Sequence, residues 1–223
     1  MNLDFLIPAA DTAVARSPME PLTRAAGARF EARDGWNVAV DYGTAASEAV
    51  GWADVSHLPK LELQGSAEAI DAAAGTTLEF GTAVRRGGAW WCRLTSTRAL
   101  VIGTRSALDG IDVVDVTSNF AAITLVGPLA HEVFARFCAL DLRPVRTPVA
   151  ALRPGSIGRQ PGILIREAED RYLFLFGWAT GEYMWQIVTD AGEHLGGRPI
   201  GADALDELAA EMEAHPPTES VGA

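Results

Sequence analysis

The chain has 223 residues, with 18 basic side chains against 29 acidic, a formal charge of −11 and an apolar fraction of 48%. That much apolar material supports a packed core and argues against disorder, while the acidic balance argues against a surface that tracks nucleic-acid phosphates. Lys60 is the only lysine and follows Pro59, and no Gly-x-Gly-x-x-Gly occurs, so NAD, FAD and ATP have none of their usual phosphate loops here.

Taken in order, residues 1–16 read as a flexible N-terminus. Asp4 and Asp11 stand where a secretory signal carries basic residues, and no apolar run reaches the ~18 residues of a membrane span, so the expected location is the cytoplasm. Ser17-Pro18 opens a short helix over 17–27. Asp54-Val55-Ser56 then leads through the strand-like run 60–64, which holds Lys60 with no activating neighbour in sequence, to Gly65 and a helix capped by Ser66. About 61 residues later, Asp115-Val116-Thr117 leads through 122–126 to Gly127 and a second helix, with Pro128 at its first position. Leu129, Val133, Phe134 and Phe137 give that helix one apolar stripe.

The echo continues into two hairpins. Trp90–Leu94 and Ala99–Ile102 flank a turn at 95–98, and Ile163–Arg166 and Tyr172–Phe176 flank a turn at 167–170. Arg93 and Arg98 precede Arg166 and Arg171 by 73 residues. These matches predict an α+β fold of duplicated β-α-β-β subdomains with antiparallel sheets, about 17–112 and 113–201 within one domain over 17–201. Residues 202–214 are expected to form an acidic amphipathic helix, with Leu205, Leu208, Ala209 and Met212 on one stripe, that packs on the domain or on a partner. Residues 215–223 read as a disordered tail.

Chemistry-bearing motifs are few. Cys92 and Cys138 lack a Cys-x-x-Cys spacing and read as free thiols of a reducing compartment. His57, His131, His194 and His215 share no metal spacing; His131 reads as helix surface and His57 as a loop residue. Asp109, Asp112 and Asp115 read as turn and edge carboxylates, so no metal site is expected. The richest stretch is 177–188, where a Gly177 turn leads into Trp178, Thr180-Gly181-Glu182, Tyr183 and Trp185. Such rings stack a flat heterocycle while the Glu182 carboxylate takes its N–H donors; aromatic core packing with an exposed Glu182 is the alternative.

Several of these residues resemble a known family. Gly35-Trp36, Tyr42, Glu48, the run Trp52 to Gly65 with its Asp-Val-Ser-His core, the 123–130 junction and Thr180-Gly181-Glu182 are similar to the folate-binding aminomethyltransferases, the T-protein of glycine cleavage and its relatives. The resemblance implies a duplicated folate-binding domain and candidate tetrahydrofolate contacts at Glu182, Trp178, Tyr183 and Tyr42. It also exposes departures. The family's C-terminal β-barrel finds no room in this length. Its catalytic aspartate follows a Gly-Gly pair, where this sequence reads Gly87-Gly88-Ala89-Trp90-Trp91-Cys92, so no catalytic residue is assigned.

The second half, through Gly127-Pro128, the 138–144 stretch Cys-Ala-Leu-Asp-Leu-Arg-Pro and Tyr183-Met184-Trp185, resembles the gamma subunit of heterotetrameric sarcosine oxidase. That implies a largely non-catalytic subunit beside flavoprotein oxidase subunits, in a complex oxidising sarcosine or related N-methyl amino acids. A stand-alone tetrahydrofolate-dependent aminomethyltransferase or demethylase, and a folate-binding module without turnover, are the alternatives.

Overall fold

The computed structural model describes residues 14–43, 49–106, 108 and 110–214, with side chains described through residue 208. Glu48, Asp109, His215, residues 1–13 and 215–223, and the side chains of Ala209 and Met212 lie outside that set.

A small sheet comes first, from β1 (Ala15–Arg16), β2 (Arg29–Arg33) and β3 (Trp36–Asp41) in the order β1-β3-β2. The expected helix over 17–27 is the shorter α1 (Glu20–Ala25), because Ser17 Oγ accepts the Met19 N–H in a turn ahead of it.

Two matched units follow. The first runs β4 (Gly51–Asp54), β5 (Lys60–Gln64), α2 (Ala67–Ala74), β6 (Ala83–Arg86), β7 (Ala89–Thr95) and β8 (Arg98–Ile102). The second runs β9 (Asp112–Asp115), β10 (Phe120–Val126), α3 (Ala130–Ala135), β11 (Leu152–Ile157), β12 (Gln160–Ala168) and β13 (Arg171–Gly177). Then come α4 (Gly181–Glu193), β14 (Arg198–Pro199) and α5 (Ala202–Ala214). The fold is α+β with mainly antiparallel sheets and no closed barrel among the described residues. Each carries two strands beyond the expected β-α-β-β, β4 or β9 ahead of it and β6 or β11 after the helix.

The duplication holds residue by residue. A bulge falls between Arg93 and Thr95 in the first hairpin and between Arg166 and Ala168 in the second, 73 residues apart. Arg93 and Arg166 are each 5% exposed. Arg93 donates to the Leu78 carbonyl at 2.7 Å, and Arg166 to the Thr147 carbonyl at 2.8 Å, so each guanidinium satisfies loop carbonyls of its own unit.

The sheet orders are β6-β7-β8-β5-β9 and β11-β12-β13-β10-β4-β14. The strand that precedes each unit therefore pairs in the sheet of the other: β4 lies against β10, and β9 against β5. No single cut in the sequence separates the two sheets.

The sheets pack face to face. Val55, Trp90, Cys92, Leu100, Ile165 and Leu173 are among the side chains of the core between them. Alternation along β7 sends Trp90 and Cys92 into that core and Trp91 to the other face, under α2. On the outer face of the second sheet, α3 and α4 bury Val133, Phe134, Met184 and Trp185 against Phe174 and Phe176. Full burial of each large apolar side chain contributes roughly 1.5–3 kcal/mol. Ser66 caps α2 as expected, accepting the Ala69 N–H at 3.2 Å. Pro128 differs: it sits in a turn ahead of α3, closed by the Ala130 N–H on the Gly127 carbonyl at 2.9 Å.

The first turns of α5 pack on the domain itself. Leu205 joins the core between the sheets, Ala202 meets Trp36, Val38 and Val40, and Asp203 pairs with Arg33 and Arg29.

Gly127 holds the start of α3 against the chain entering β4. Its φ is +119°, and a Cβ there meets the Ala49 carbonyl oxygen at 2.8 Å and Val50 Cα at 3.1 Å. Gly127→Ala is expected to lower the unfolding free energy in urea by about 1–3 kcal/mol. Gly177→Ala, at an ordinary φ with nothing within 4 Å, should stay within about 0.5 kcal/mol of the parent.

Candidate functional site

The core between the sheets opens into a cleft of about 840 Å³. Its walls come from both units: Trp90 on β7 and Arg85 on β6 from one, Glu167 on β12 and Arg171 on β13 from the other. The β2–β3 turn adds Arg33 and Asp34, and α5 covers one side with Ala202, Leu205 and Asp206.

One hydrogen-bonded set defines the wall. Trp90 Nε1–H donates to Glu167 Oε1 at 2.6 Å, and Arg171 Nε donates to Glu167 Oε2 at 2.9 Å. The Glu167 and Arg171 side chains are 9% and 15% exposed. Both carboxylate oxygens are engaged, so Glu167 acts as a fixed acceptor that locks the indole plane. The Arg85 guanidinium lies 5.4 Å from the Trp90 ring centroid, a cation–π distance. Cys92, two residues on, is fully buried, and burial pushes its thiol far above the ordinary range. After Gly87-Gly88 the chain thus offers this cleft the Trp90 indole and no carboxylate, while the Cys92 thiol lies wholly within the core.

The loop between β4 and β5 forms a second wall, with His57, Leu58 and Pro59. It is held from behind by buried polar groups. Asp54 Oδ1 accepts the Ser56 N–H at 2.9 Å, and Ser56 Oγ accepts the Ala122 N–H at 3.1 Å. Lys60 is wholly buried, and its Nζ donates to the Ser56 and Leu58 carbonyls, each at 2.9 Å. Burial lowers Lys60 to about 8, opposed by the nearby Asp54 charge. Burial raises the Asp54 carboxyl in turn, opposed by hydrogen bonds from Ser17 and Ser56. The sole lysine therefore gains no activating partner from Asp54, whose charge opposes the effect of burial, and it spends its donors tying down a loop. His57 is half-buried; burial first, and the Lys60 charge second, lower it to about 4, so it is a neutral imidazole at pH 7.

The four residues singled out in the sequence sit elsewhere. Glu182 and Tyr183 are exposed in the first turn of α4, and Tyr183 Oη donates to the Gly158 carbonyl at 3.1 Å. Trp178 is half-buried, its ring 5.8 Å from that of Trp36. Tyr42 packs beside the outer core, and its buried hydroxyl has no hydrogen-bond partner among the described residues. None of the four lines the cleft. Trp36 links the two regions, since it follows the Arg33–Asp34 turn by two residues and carries Trp178 on its ring.

Sequence reasoning passed over Trp90, Glu167, Arg171 and Arg85. A signal was present in the repeat: the 73-residue offset that matches Arg93 to Arg166 matches Leu94 to Glu167, placing a carboxylate at a bulge where the first unit has leucine. Asp112 and Asp115 lie on β9, at a sheet edge. His131 Nδ1 is 3.3 Å from Tyr172 Oη, so that ring is partnered. Both cysteines are free. Among the described residues no group of three or more His, Cys, Asp or Glu is placed to hold a metal, and no helix is long and apolar enough to cross a membrane.

Comparison with known proteins adds the following. The family model described as the GCVT N-terminal domain matches residues 91–216. An aminomethyltransferase of Thermosynechococcus vestitus is 26% identical over 236 residues, covering 89% of this chain and 62% of the relative. One of Frankia alni is 26% identical over 236 residues, covering 88% and 63%. The chain therefore spans less than two thirds of the length of these relatives. Among solved structures, glycine cleavage system aminomethyltransferase T from Bartonella henselae superposes with a TM-score of 0.69 at 18% identity, covering 90% of this chain and 63% of that one. A chain of heterotetrameric sarcosine oxidase from Corynebacterium sp. U-96, in complex with pyrrole 2-carboxylate, gives 0.65 at 21% identity, covering 82% and 97%. At such identities the likeness is one of fold.

The neutral His57 makes the fold sensitive to acid. Between pH 6.5 and about 4 the unfolded imidazole binds a proton that the folded one does not, so stability falls as pH drops through that window. The urea midpoint should fall further between pH 7 and pH 4.5 in the parent than in His57→Gln. Equal losses would show that the imidazole is not held neutral.

Proposed function

The chain belongs to the GCVT N-terminal domain family, and we propose that it serves as a gamma-type subunit of a sarcosine-oxidase-like complex in the cytoplasm. Such a complex oxidises sarcosine or a related N-methyl amino acid, with flavoprotein subunits performing the oxidation. The observation that carries this reading is the cleft wall after Gly87-Gly88, which the chain lines with Trp90 and no carboxylate. A subunit that binds or guides a ligand without reacting needs no acid or base at that place.

The cleft fits a tetrahydrofolate-type ligand. Its volume of about 840 Å³ lies within the usual ~300–1,000 Å³ of small-molecule sites. Trp90 lines it with the Arg85 guanidinium over the indole, and Arg85 has no ion pair with any described residue. Tetrahydrofolate, when bound, supplies a carrier for a one-carbon unit. Glu182, Trp178, Tyr183 and Tyr42 remain its proposed contacts outside the cleft.

A second reading, a tetrahydrofolate-dependent aminomethyltransferase, draws support from the curated relatives. It needs a carboxylate in the cleft, and Glu167 is the buried one, already committed to Trp90 and Arg171.

Calorimetry with tetrahydrofolate is expected to show binding, weakened in Glu182→Ala by ~1.5 kcal/mol, the scale of a charge-assisted hydrogen bond. No heat with the parent would remove folate from the account. Co-expression with the neighbouring genes should yield a complex with a flavoprotein, and a chain that stays alone would contradict the subunit reading. One-carbon transfer by the isolated chain would favour the transferase.

A further inference from the structure

The two large sheets match strand for strand except at one edge. In the second, β14 lies parallel to β4 and closes the end, Arg198 beside Gly51 and Pro199 beside Trp52. In the first, β9 holds the place equivalent to β4, and among the described residues no strand pairs with its outer side. All of Asp112–Asp115 is exposed, Val113 at 39% and Val114 at 45%.

The backbone there is set to accept a strand. The Val116 N–H bonds to the Lys60 carbonyl, while the Gly65 N–H on the other side of β5 bonds to Thr97. By the alternation of an antiparallel ladder, Val114 turns its N–H and C=O toward β5, and Val113 and Asp115 turn theirs outward. Val113 and Val114 project to opposite faces of the sheet. A strand in the sheet plane covers both, whereas a helix laid on one face covers one.

Charge selects the occupant. A second copy brings the same Asp-Val-Val-Asp segment to the edge, so pairing of two copies gains no charge complementarity in a chain already at −11, whereas a strand with basic flanks does. Asp112 has no ion pair among the described residues, and Asp115 meets Arg105 at 3.2 Å at the far end.

We propose that the outer edge of β9 is a β-augmentation site for an extended segment of a partner protein, apolar at its centre and flanked by Lys or Arg, laid along β9 as β14 is along β4. The site depends neither on folate nor on the oxidase reading.

The test uses the full chain and two capped fluorescent peptides, with cores Arg-Val-Ile-Arg and Glu-Val-Ile-Glu, followed by anisotropy. The basic peptide should bind about tenfold tighter or more. Val113→Pro removes an outward N–H without touching the ladder to β5, and should weaken that binding about tenfold with the urea midpoint unchanged. Asp112→Lys should narrow the preference between the peptides. Equal binding of the two peptides, no binding of either up to about 1 mM, or basic-peptide binding indifferent to both variants would overturn the proposal. Dimerisation of the chain abolished by Val113→Pro would also overturn it, by giving the edge to a second copy.

Discussion

The reciprocal exchange of β4 and β9 is the constraint on which the rest of the architecture depends. Each sheet takes in a strand that belongs, by sequence, to the other unit. Neither sheet is complete until the chain has passed through both units, so neither half is an independent folding body. The exchange also fixes how the sheets face each other, and with that the core that Trp90, Leu100, Ile165 and Leu173 share. At the opposite edges β6 and β11 meet as well, through Thr82 and Ala151. The sheets are thus joined at both sides, and the cleft between them has little freedom to open by hinging.

That closure explains the composition of the cleft. Because its walls come from both units, a hydrogen bond across it, such as that from Trp90 to Glu167, is made between residues 77 apart in sequence. Arg171 neutralises the same carboxylate, so a largely buried charge in the cleft wall keeps its partner. The loop of His57 is stiffened from behind by Lys60, whose ammonium is used entirely within the fold. With the Glu167 carboxylate tied to Trp90 and Arg171, and Asp34 and Asp206 exposed to solvent, the cleft suits binding better than proton transfer.

Some of this was legible in the sequence, for reasons that are local. A strand, a glycine and a helix start repeated near a constant offset, and the matched arginines of the two hairpins recurred 73 residues apart. Arginine at both positions does the same work, donating to loop carbonyls of its own unit. The strand exchange was not legible. The short strands Gly51–Asp54 and Asp112–Asp115 carry no pattern that names a partner, and their pairing is decided by sheets formed far along the chain. The cleft was hidden for the same reason, since its lining gathers turns, strand ends and one helix start. The Thr-Gly-Glu turn, by contrast, stood out in sequence, and Glu182 proves to be a surface residue at the start of α4. Lys60 was misleading in another way: a lone lysine in an apolar run looks idle until Asp54 and two carbonyls are found beside it.

The acidic, lysine-poor composition takes its meaning from these placements. Arg85, Arg171 and Arg33 converge on the cleft, while acidic side chains border the free edge of β9. The central claim is that the cleft, walled by Trp90 from one unit and Glu167 with Arg171 from the other, is the ligand site. The most direct measurement follows the tryptophan indole N–H resonances by NMR as tetrahydrofolate is added, with Trp90 assigned through Trp90→Phe. A saturable shift at Trp90, with the Trp91 indole N–H on the far face of β7 unmoved, is the predicted result. No shift at Trp90, or shifts confined to the other indoles, would contradict it.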